Sequence, residues 1–323
     1  MNPPRILQNL KLPPALQARL AAAFDVHALH DEADPAAFLA ARGGEFVGLV
    51  TSAGVGADAA LIAALPGLRV ISSFGVGLDK LDLAAAAARG VAVGYTPDVL
   101  NDCVADLAFG LLLDVARGLS AADRYVRRGD WPRAGTPASA PFPLGRKVSG
   151  AKLGIVGLGR IGRTIARRAG GFEMAVRYHG RRPVPDVPWA HEPVLVELAR
   201  WCDYMVVIAA GGAGTRHLVD APVLDALGPR GFLVNVSRGS VVDEAALVQA
   251  LVERRIAGAA LDVFEHEPQV PPALFALDNV VLLPHIASAT VETRQAMADR
   301  VFDNLDSYFR DGRLVSAAPL PAA

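Results

Sequence analysis

The sequence predicts an α/β protein with two parallel, helix-flanked sheets, the second inserted within the first. Three observations carry this. Short apolar runs alternate with alanine-rich helical runs through the first hundred residues. A Gly-x-Gly-x-x-Gly run opens a second such series about midway along the chain. One long amphipathic stretch then follows near the C-terminus. Alternation of strand and helix implies parallel strands joined by crossovers. At 323 residues the chain is long enough for two domains of ordinary size.

Taken in order, Arg5–Gln8, Asp25–Leu29, Phe46–Thr51, Arg69–Ser73 and Val91–Gly94 read as strands. Ala15–Ala23, Pro35–Arg42, Ala57–Leu65 and Leu83–Arg89 read as the helices between them. A long apolar helix is expected over Asn101–Arg128. Trp131–Gly150 follows, rich in proline and glycine and without periodicity, so a linker or an arm is expected there. The second series has six expected strands: Leu153–Val156, Ala175–His179, Tyr204–Ile208, Phe232–Val236, Gly258–Val263 and Val280–Leu283. Six is the number of a complete doubly wound sheet. Thr290–Phe309 reads as one amphipathic helix beyond the sixth strand. If it crosses back onto the first sheet, the first domain is discontinuous: residues 1–98 and 290–323, with 99–289 inserted. The alanine-rich helices and the Ala317–Ala323 tail are the only biased tracts.

Composition narrows the function. Acidic side chains number 33 and basic ones 32, so no basic excess argues for nucleic acid or an anionic membrane. Met1–Asn2–Pro3–Pro4 runs directly into polar and charged residues, without the apolar core of a secretory signal. Val104–Val115, among the longest apolar stretches, carries internal aspartates and is too short to span a bilayer. Cys103 and Cys202 are the only cysteines, and reduced, buried thiols are expected. A soluble, cytoplasmic protein is the expectation.

The glycine run is Gly157–Leu158–Gly159–Arg160–Ile161–Gly162, entered by the strand Leu153–Val156 and left by the helical Arg163–Ala169. Strand, glycine turn and helix in that order are what a dinucleotide site requires. Gly157 permits the turn, Gly159 lets the backbone approach a pyrophosphate, and Gly162 lets helix pack on strand. The helix N-terminus then offers unpaired N–H groups and partial positive charge to the phosphates. A Rossmann dinucleotide-binding domain inserted in a flavodoxin-like parallel α/β substrate domain is the resulting fold expectation.

In an NAD-type site, an acid about 20 residues beyond the glycines binds the ribose hydroxyls. Here the second strand ends Tyr178–His179–Gly180–Arg181–Arg182, with no carboxylate and two arginines. A guanidinium fork pairs with a 2′-phosphate, which favours NADPH over NADH, with Arg181 ahead of Arg182.

Three later segments place polar residues at strand ends, where open α/β sheets bind ligands. They are Asn235–Val236–Ser237–Arg238–Gly239, Leu261–Asp262 through Glu267–Pro268, and Pro284–His285–Ile286–Ala287–Ser288. An arginine, a carboxylate and a histidine on one sheet suit reduction of a 2-oxo acid. The arginine holds a carboxylate or polarises the ketone, and the histidine protonates the nascent alkoxide. A glutamate nearby stabilises the imidazolium.

Together with Phe74–Asp79 and Thr96–Leu100, these segments closely resemble the D-isomer-specific 2-hydroxyacid dehydrogenase family over nearly the whole chain. Within it, Tyr178–Arg181 and Phe142–Leu144 look most like the NADPH-dependent glyoxylate/hydroxypyruvate and hydroxyphenylpyruvate reductases. The resemblance implies that Arg238, Glu267 and His285 are the catalytic trio, with His285 the proton donor. It implies that the Val76 and Gly77 amides hold the substrate carboxylate. It also implies that Asp262 binds the nicotinamide carboxamide and that Thr215, Val236, Ser237 and Ser288 contact cofactor. His179 could stack near the adenine. Local capping or turn bonds are the competing roles for Asp262, Thr215 and Ser288. The sequence departs from many relatives at Ala209–Gly212, which lacks a proline, and at Cys103, where an acid is common. The remaining histidines (27, 30, 191, 217 and 266) show no metal spacing and read as surface or capping residues. Trp131 and Phe142–Leu144 are hydrophobic staples or reach the pocket of a second subunit, as the family's homodimers suggest. Alternatives left open are an aryl-pyruvate reductase, a 3-phosphoglycerate, formate or phosphite dehydrogenase, and a dinucleotide-sensing scaffold of the corepressor kind.

Overall fold

Five strands form in the first series where apolar residues cluster between capped helices: β1 (Arg5–Gln8), β2 (Asp25–Ala28), β3 (Gly48–Ser52), β4 (Val70–Phe74) and β5 (Ala92–Gly94). All pair in parallel, in the order β2-β1-β3-β4-β5, which is the flavodoxin-like order. Helices α1 (Pro14–Ala23), α2 (Pro35–Arg42), α3 (Ala59–Ala63) and α4 (Leu83–Ala88) connect them. Asp34, Asp58 and Asp82 each accept a first-turn amide of α2, α3 and α4. Such a cap satisfies a donor that a helix start leaves unpaired and is worth about 1 kcal/mol. The structure, a computed structural model, describes residues 3–136 and 141–321. The two terminal residues at each end, including the last of the alanine–proline tail, and residues 137–140 of the expected arm lie outside them.

The chain divides into two compact units, Met1–Leu100 with Ala289–Ala323, and Asn101–Ser288. The C-terminal helix Val291–Asp311, capped by Thr290, completes the first unit by burying Met297, Ala298, Val301 and Leu305. Ser72 in β4 donates to the Val301 carbonyl (3.0 Å), and Asn304 donates to the Tyr95 carbonyl (3.2 Å). Contacts between residues so distant in sequence make this unit discontinuous.

The second unit begins with a departure. One helix was expected over Asn101–Arg128, but two form: α5 (Asn101–Arg117) and α6 (Leu119–Arg127). Gly118 takes a left-handed φ of +64° between them. The Asp114 carboxylate then accepts the Ser120 amide (2.8 Å) and the Ser120 hydroxyl, which starts the new helix. Apolar periodicity continues across that break, so it was hidden in the pattern.

Seven parallel strands follow: β6 (Lys152–Val156), β7 (Ala175–His179), β8 (Ala190–His191), β9 (Tyr204–Val207), β10 (Phe232–Asn235), β11 (Gly258–Leu261) and β12 (Val280–Leu282). Their order is β12-β11-β10-β9-β6-β7-β8. Read from β8, this is the 3-2-1-4-5-6 dinucleotide order with one strand added. Six strands were expected. The seventh, β8, has two residues in a proline-bordered segment and leaves no run long enough to read. Helices α7 (Arg160–Ala169), α8 (Leu195–Trp201), α9 (Ala221–Leu227) and α10 (Glu244–Val252) cover the sheet over a core that includes Met205, Val207, Leu233, Leu247 and Ala259.

Beyond α6, Trp131–Arg133 forms a single turn. Phe142 lies 5.4 Å from the Tyr125 ring, and the Arg146 amide donates to the Ala116 carbonyl at 2.7 Å. Trp131 and Leu144 remain exposed. Cys202 is buried, and burial pushes its thiol up to about 12. Cys103, expected to be buried, is half-buried on α5. Among the described residues no helix is long and apolar enough to cross a membrane.

Candidate active site

The three glycines after β6 do different work. Gly157 has a φ of +101°, and a Cβ there would sit 2.8 Å from the Ala209 backbone. A Cβ on Gly162 would lie 2.2 Å from the Gly157 carbonyl oxygen. Both are therefore demanded by the protein's own packing. Around Gly159, by contrast, a Cβ would meet nothing within 4 Å. That position keeps clear the space above the start of α7, whose N-cap makes no side-chain hydrogen bond. Leu158 is buried beneath the turn, and Arg160 and Ile161 open the helix. An open cradle at a helix start without a side-chain cap fits the pyrophosphate of a dinucleotide.

The end of β7 adjoins this turn. Val156 pairs with His179 across the sheet, and the Gly157 amide donates to the His179 carbonyl (2.9 Å). Gly180, Arg181 and Arg182 follow directly. Both arginines are exposed and make no ion pair among the described residues. The His179 ring meets the Glu192 carbonyl at 3.0 Å.

A second corner forms where β10, β11 and β12 end side by side, with Asn235 in register with Leu261. Asn235 is 1% exposed and folds the next turn around itself. Its Oδ1 accepts from the Ser237 amide (3.1 Å) and hydroxyl (2.8 Å), and its Nδ2 donates to the Arg238 carbonyl (3.2 Å). Val236 and Ser237 are buried, and the half-buried Arg238 guanidinium donates to the Ser237 carbonyl (2.9 Å). A Cβ on Gly239 would fall 1.9 Å from the Phe264 carbonyl carbon. Only glycine lets the Arg238 turn press against the segment carrying Glu267.

Glu267 Oε1 accepts the Phe264 amide (3.1 Å), and Oε2 lies 2.8 Å from His285 Nδ1. Burial works against ionisation of Glu267. The bond to His285, the Phe264 amide and the charges of His285 and Arg238 outweigh it, so its carboxyl is held below the usual range. Pairing at Nδ1 puts that proton toward the carboxylate and leaves Nε2 without a partner among the described residues.

His285 itself has a left-handed φ of +55°, unusual for a residue with a side chain. Asp262 holds it there. The Asp262 carbonyl accepts the His285 amide (2.8 Å), and its carboxylate oxygens accept the Ile286 (2.7 Å) and Ala287 (2.8 Å) amides. Asp262 is fully buried, and that burial raises its carboxyl above the ordinary range despite these bonds. Ser288 follows, half-buried. Thr215, in the loop after β9, makes a local bond to the Ala210 carbonyl (2.7 Å).

Val76 and Gly77 lie in the other unit, after β4. Gly75 takes a φ of +139°, and a Cβ there would lie 2.6 Å from that of Ala53. Its amide donates to the buried Thr96 hydroxyl (3.1 Å). Val76 and Gly77 are half-buried, and neither amide donates within the protein among the described residues. Two adjacent amides without an acceptor among the described residues are available to an anion.

Some histidines read as surface or capping residues are wedged instead. His27 stacks on Phe38 at 4.3 Å and meets Glu32 at 2.8 Å. His217 lies 2.9 Å from Glu265, which also pairs with Arg216 (2.7 Å). Burial opposes that carboxylate, yet the hydrogen bond from His217 and the charge of Arg216 hold Glu265 below its ordinary range. Asn235, Gly239 and Glu265 thus support the corner without having been singled out by residue type. The Asn-x-Ser-Arg-Gly spacing was the one available signal.

A sheet in dinucleotide order, a glycine cradle, and a carboxylate-paired histidine beside an arginine define a nicotinamide-dependent oxidoreductase. Residues 109–287 match the D-isomer specific 2-hydroxyacid dehydrogenase NAD-binding domain, and the chain belongs to that family. It is 50% identical to glyoxylate/hydroxypyruvate reductase A of Arabidopsis thaliana over 83% of this chain and 84% of that protein. It is 49% identical to hydroxyphenylpyruvate reductase of Plectranthus scutellarioides over 84% of this chain and 85% of that one. Among solved structures, it resembles the NADPH-dependent glyoxylate/hydroxypyruvate reductase of Sinorhizobium meliloti, in complex with NADP and malonate. The TM-score is 0.90 and the identity 45%, with 99% of both chains covered. The protein is an NAD(P)-dependent 2-hydroxyacid dehydrogenase.

Proposed function

We propose that the protein is an NADPH-preferring reductase of small 2-oxo acids of the glyoxylate and hydroxypyruvate kind, forming D-2-hydroxy acids. The observation that carries this is the 2.8 Å pair of Glu267 and His285, beside Arg238 in a unit whose glycine turn fits a dinucleotide. When bound, the reduced nicotinamide supplies hydride to the keto carbon. His285 provides the proton: its Nδ1 is tied to Glu267, and its Nε2 carries hydrogen to the oxygen that becomes the alcohol. The Glu267 carboxylate stabilises the imidazolium before transfer. Arg238 pairs with the substrate carboxylate or polarises the ketone, and the Val76 and Gly77 amides hold that carboxylate.

The cofactor would rest on Gly157–Gly162, with Thr215, Val236, Ser237 and Ser288 as further contacts, while the buried Asp262, whose two carboxylate oxygens take the Ile286 and Ala287 amides, would serve it by holding the His285 turn. Exposed Arg181 and Arg182, without an ion pair among the described residues and with no acid at the end of β7, support a 2′-phosphate there. His179 and Gly180 complete the adenosine end. NADH would serve more weakly. The same reading makes the protein a cytoplasmic homodimer. Exposed Trp131 and Leu144 offer apolar surface to a second copy, and a sequence with two cysteines suits a reducing compartment.

A second substrate reading, toward aryl-pyruvates, is favoured by the near-equal identity to the hydroxyphenylpyruvate reductase. Initial rates with glyoxylate, hydroxypyruvate, pyruvate and phenylpyruvate, each with NADPH and NADH, decide between them. The proposal expects the highest kcat/KM for glyoxylate or hydroxypyruvate with NADPH. Faster phenylpyruvate reduction would establish the second reading, and turnover with none of the four would overturn both.

A further inference from the structure

The Arg181–Arg182 loop is held from one side by a strap with no role in the dinucleotide chemistry. The strap is β8, His191 with its neighbour Glu192. His191 Nε2 lies 2.9 Å from the Gly180 carbonyl oxygen, the peptide immediately before Arg181. A carbonyl only accepts, so Nε2 carries the hydrogen of this bond. On the far side of the arginines, the Val184 amide donates to the Tyr178 hydroxyl at 2.7 Å. Tyr178 is 1% exposed, and its ring lies 5.2 Å from that of His191. Both ends of the loop are therefore tied to one aromatic pair on β7 and β8.

The next residue strengthens the strap. The Glu192 amide donates to the Tyr178 carbonyl (2.7 Å), and its own carbonyl meets His179 Nδ1 (3.0 Å). Its carboxylate accepts the Val194 amide (3.2 Å) and lies 3.9 Å from Arg177. An acid close to a 2′-phosphate would repel it. Here that acid is bound to its own backbone and shares its charge with Arg177.

Two long arginine side chains on a free loop would lose considerable entropy on gripping a phosphate. Holding the backbone beneath them beforehand lowers that cost. We propose that His191 is a positioning residue for cofactor choice: through Gly180 it presets the loop whose arginines receive the 2′-phosphate. The proposal rests on the NADPH reading above. It predicts an effect confined to the cofactor that bears the phosphate.

Binding of NADP+ and NAD+ to the full chain by isothermal titration calorimetry tests it, with no turnover involved. His191→Leu removes the donor and is expected to raise the Kd for NADP+ about 5- to 10-fold, the worth of one such bond. The Kd for NAD+ should change by less than about twofold. His191→Gln, which places an amide donor near the position of Nε2, should recover most of the NADP+ affinity. Equal weakening of both cofactors by His191→Leu, or unchanged NADP+ binding, would overturn the proposal. If the unaltered protein binds NADP+ no better than NAD+, the NADPH reading fails and takes this one with it. A clear NADP+ preference that His191→Leu leaves intact removes the strap alone.

Discussion

The two ends of the second sheet are built on opposite terms. At the β10–β12 end, backbone amides and buried side chains hold the turns that carry Arg238, Glu267 and His285. Asp262 makes three bonds to residues 285–287, Glu267 spends one oxygen on its own backbone, and Gly239 leaves no room for a side chain. At the β6–β8 end, the groups proposed for the ligand are exposed arginine tips, and the internal bonds hold the peptide beneath them. Proton transfer needs donor and acceptor within hydrogen-bond reach, so a small displacement is costly. Charge recognition falls off slowly with distance and tolerates movement. Internal hydrogen bonds are concentrated at the corner proposed for proton transfer.

Removing the proposed proton donor should show the contrast most strongly. His285→Ala is expected to lower kcat by about 100- to 10,000-fold, the usual worth of a general acid, with cofactor Kd nearly unchanged. Steady-state rates paired with calorimetric titration check it, and near-normal turnover would remove His285 from the mechanism. At the other end, replacing Arg181 and Arg182 together by alanine should weaken NADPH binding about 10- to 100-fold, as expected for charge-assisted bonds, and spare NADH. An unchanged ratio of the two Kd values would make both arginines ordinary surface charges.

The smallest effect concerns pH. The Glu267 carboxyl lies below its ordinary range in the folded protein. Ionised Glu267 therefore contributes stability that is fully present above the unfolded-state pKa, near 4.5, and is lost as pH falls through the lower folded value. The difference in Tm between the native protein and Glu267→Gln should shrink on acidification below about pH 4.5. A difference that grows toward acid would reverse the sign assigned to the Glu267–His285 pair.

Much of this was legible before folding because it is local. Gly157–Gly162 sits between a strand and a helix, and Pro284–His285 follows an apolar run. Strand ends of one parallel sheet must fall on one edge, so the shared edge of Arg238, Glu267 and His285 followed from topology. The break at Gly118 was not legible, because apolar residues continue with helical spacing on both sides of a single left-handed residue. Nor was β8: two residues carry no periodicity, and its pairing exists only because β7 lies alongside. The partnerships of Asp262 with residues 286 and 287, and of His191 with Gly180, join side chains to backbone atoms, which composition does not encode.

By itself, the order of residues determined two strand–helix series, a dinucleotide turn and the residue types at the strand ends. These depend on periodicity, glycine conformation and charge, all properties of short segments. Only the tertiary structure decided which groups are spent and which are free. Burial closes Asp262 around the His285 backbone, sterics seat Gly239 against Phe264, and Gly159 is left facing open space. Those outcomes depend on packing between segments far apart in the chain, where a difference of an ångström separates a contact from a clash.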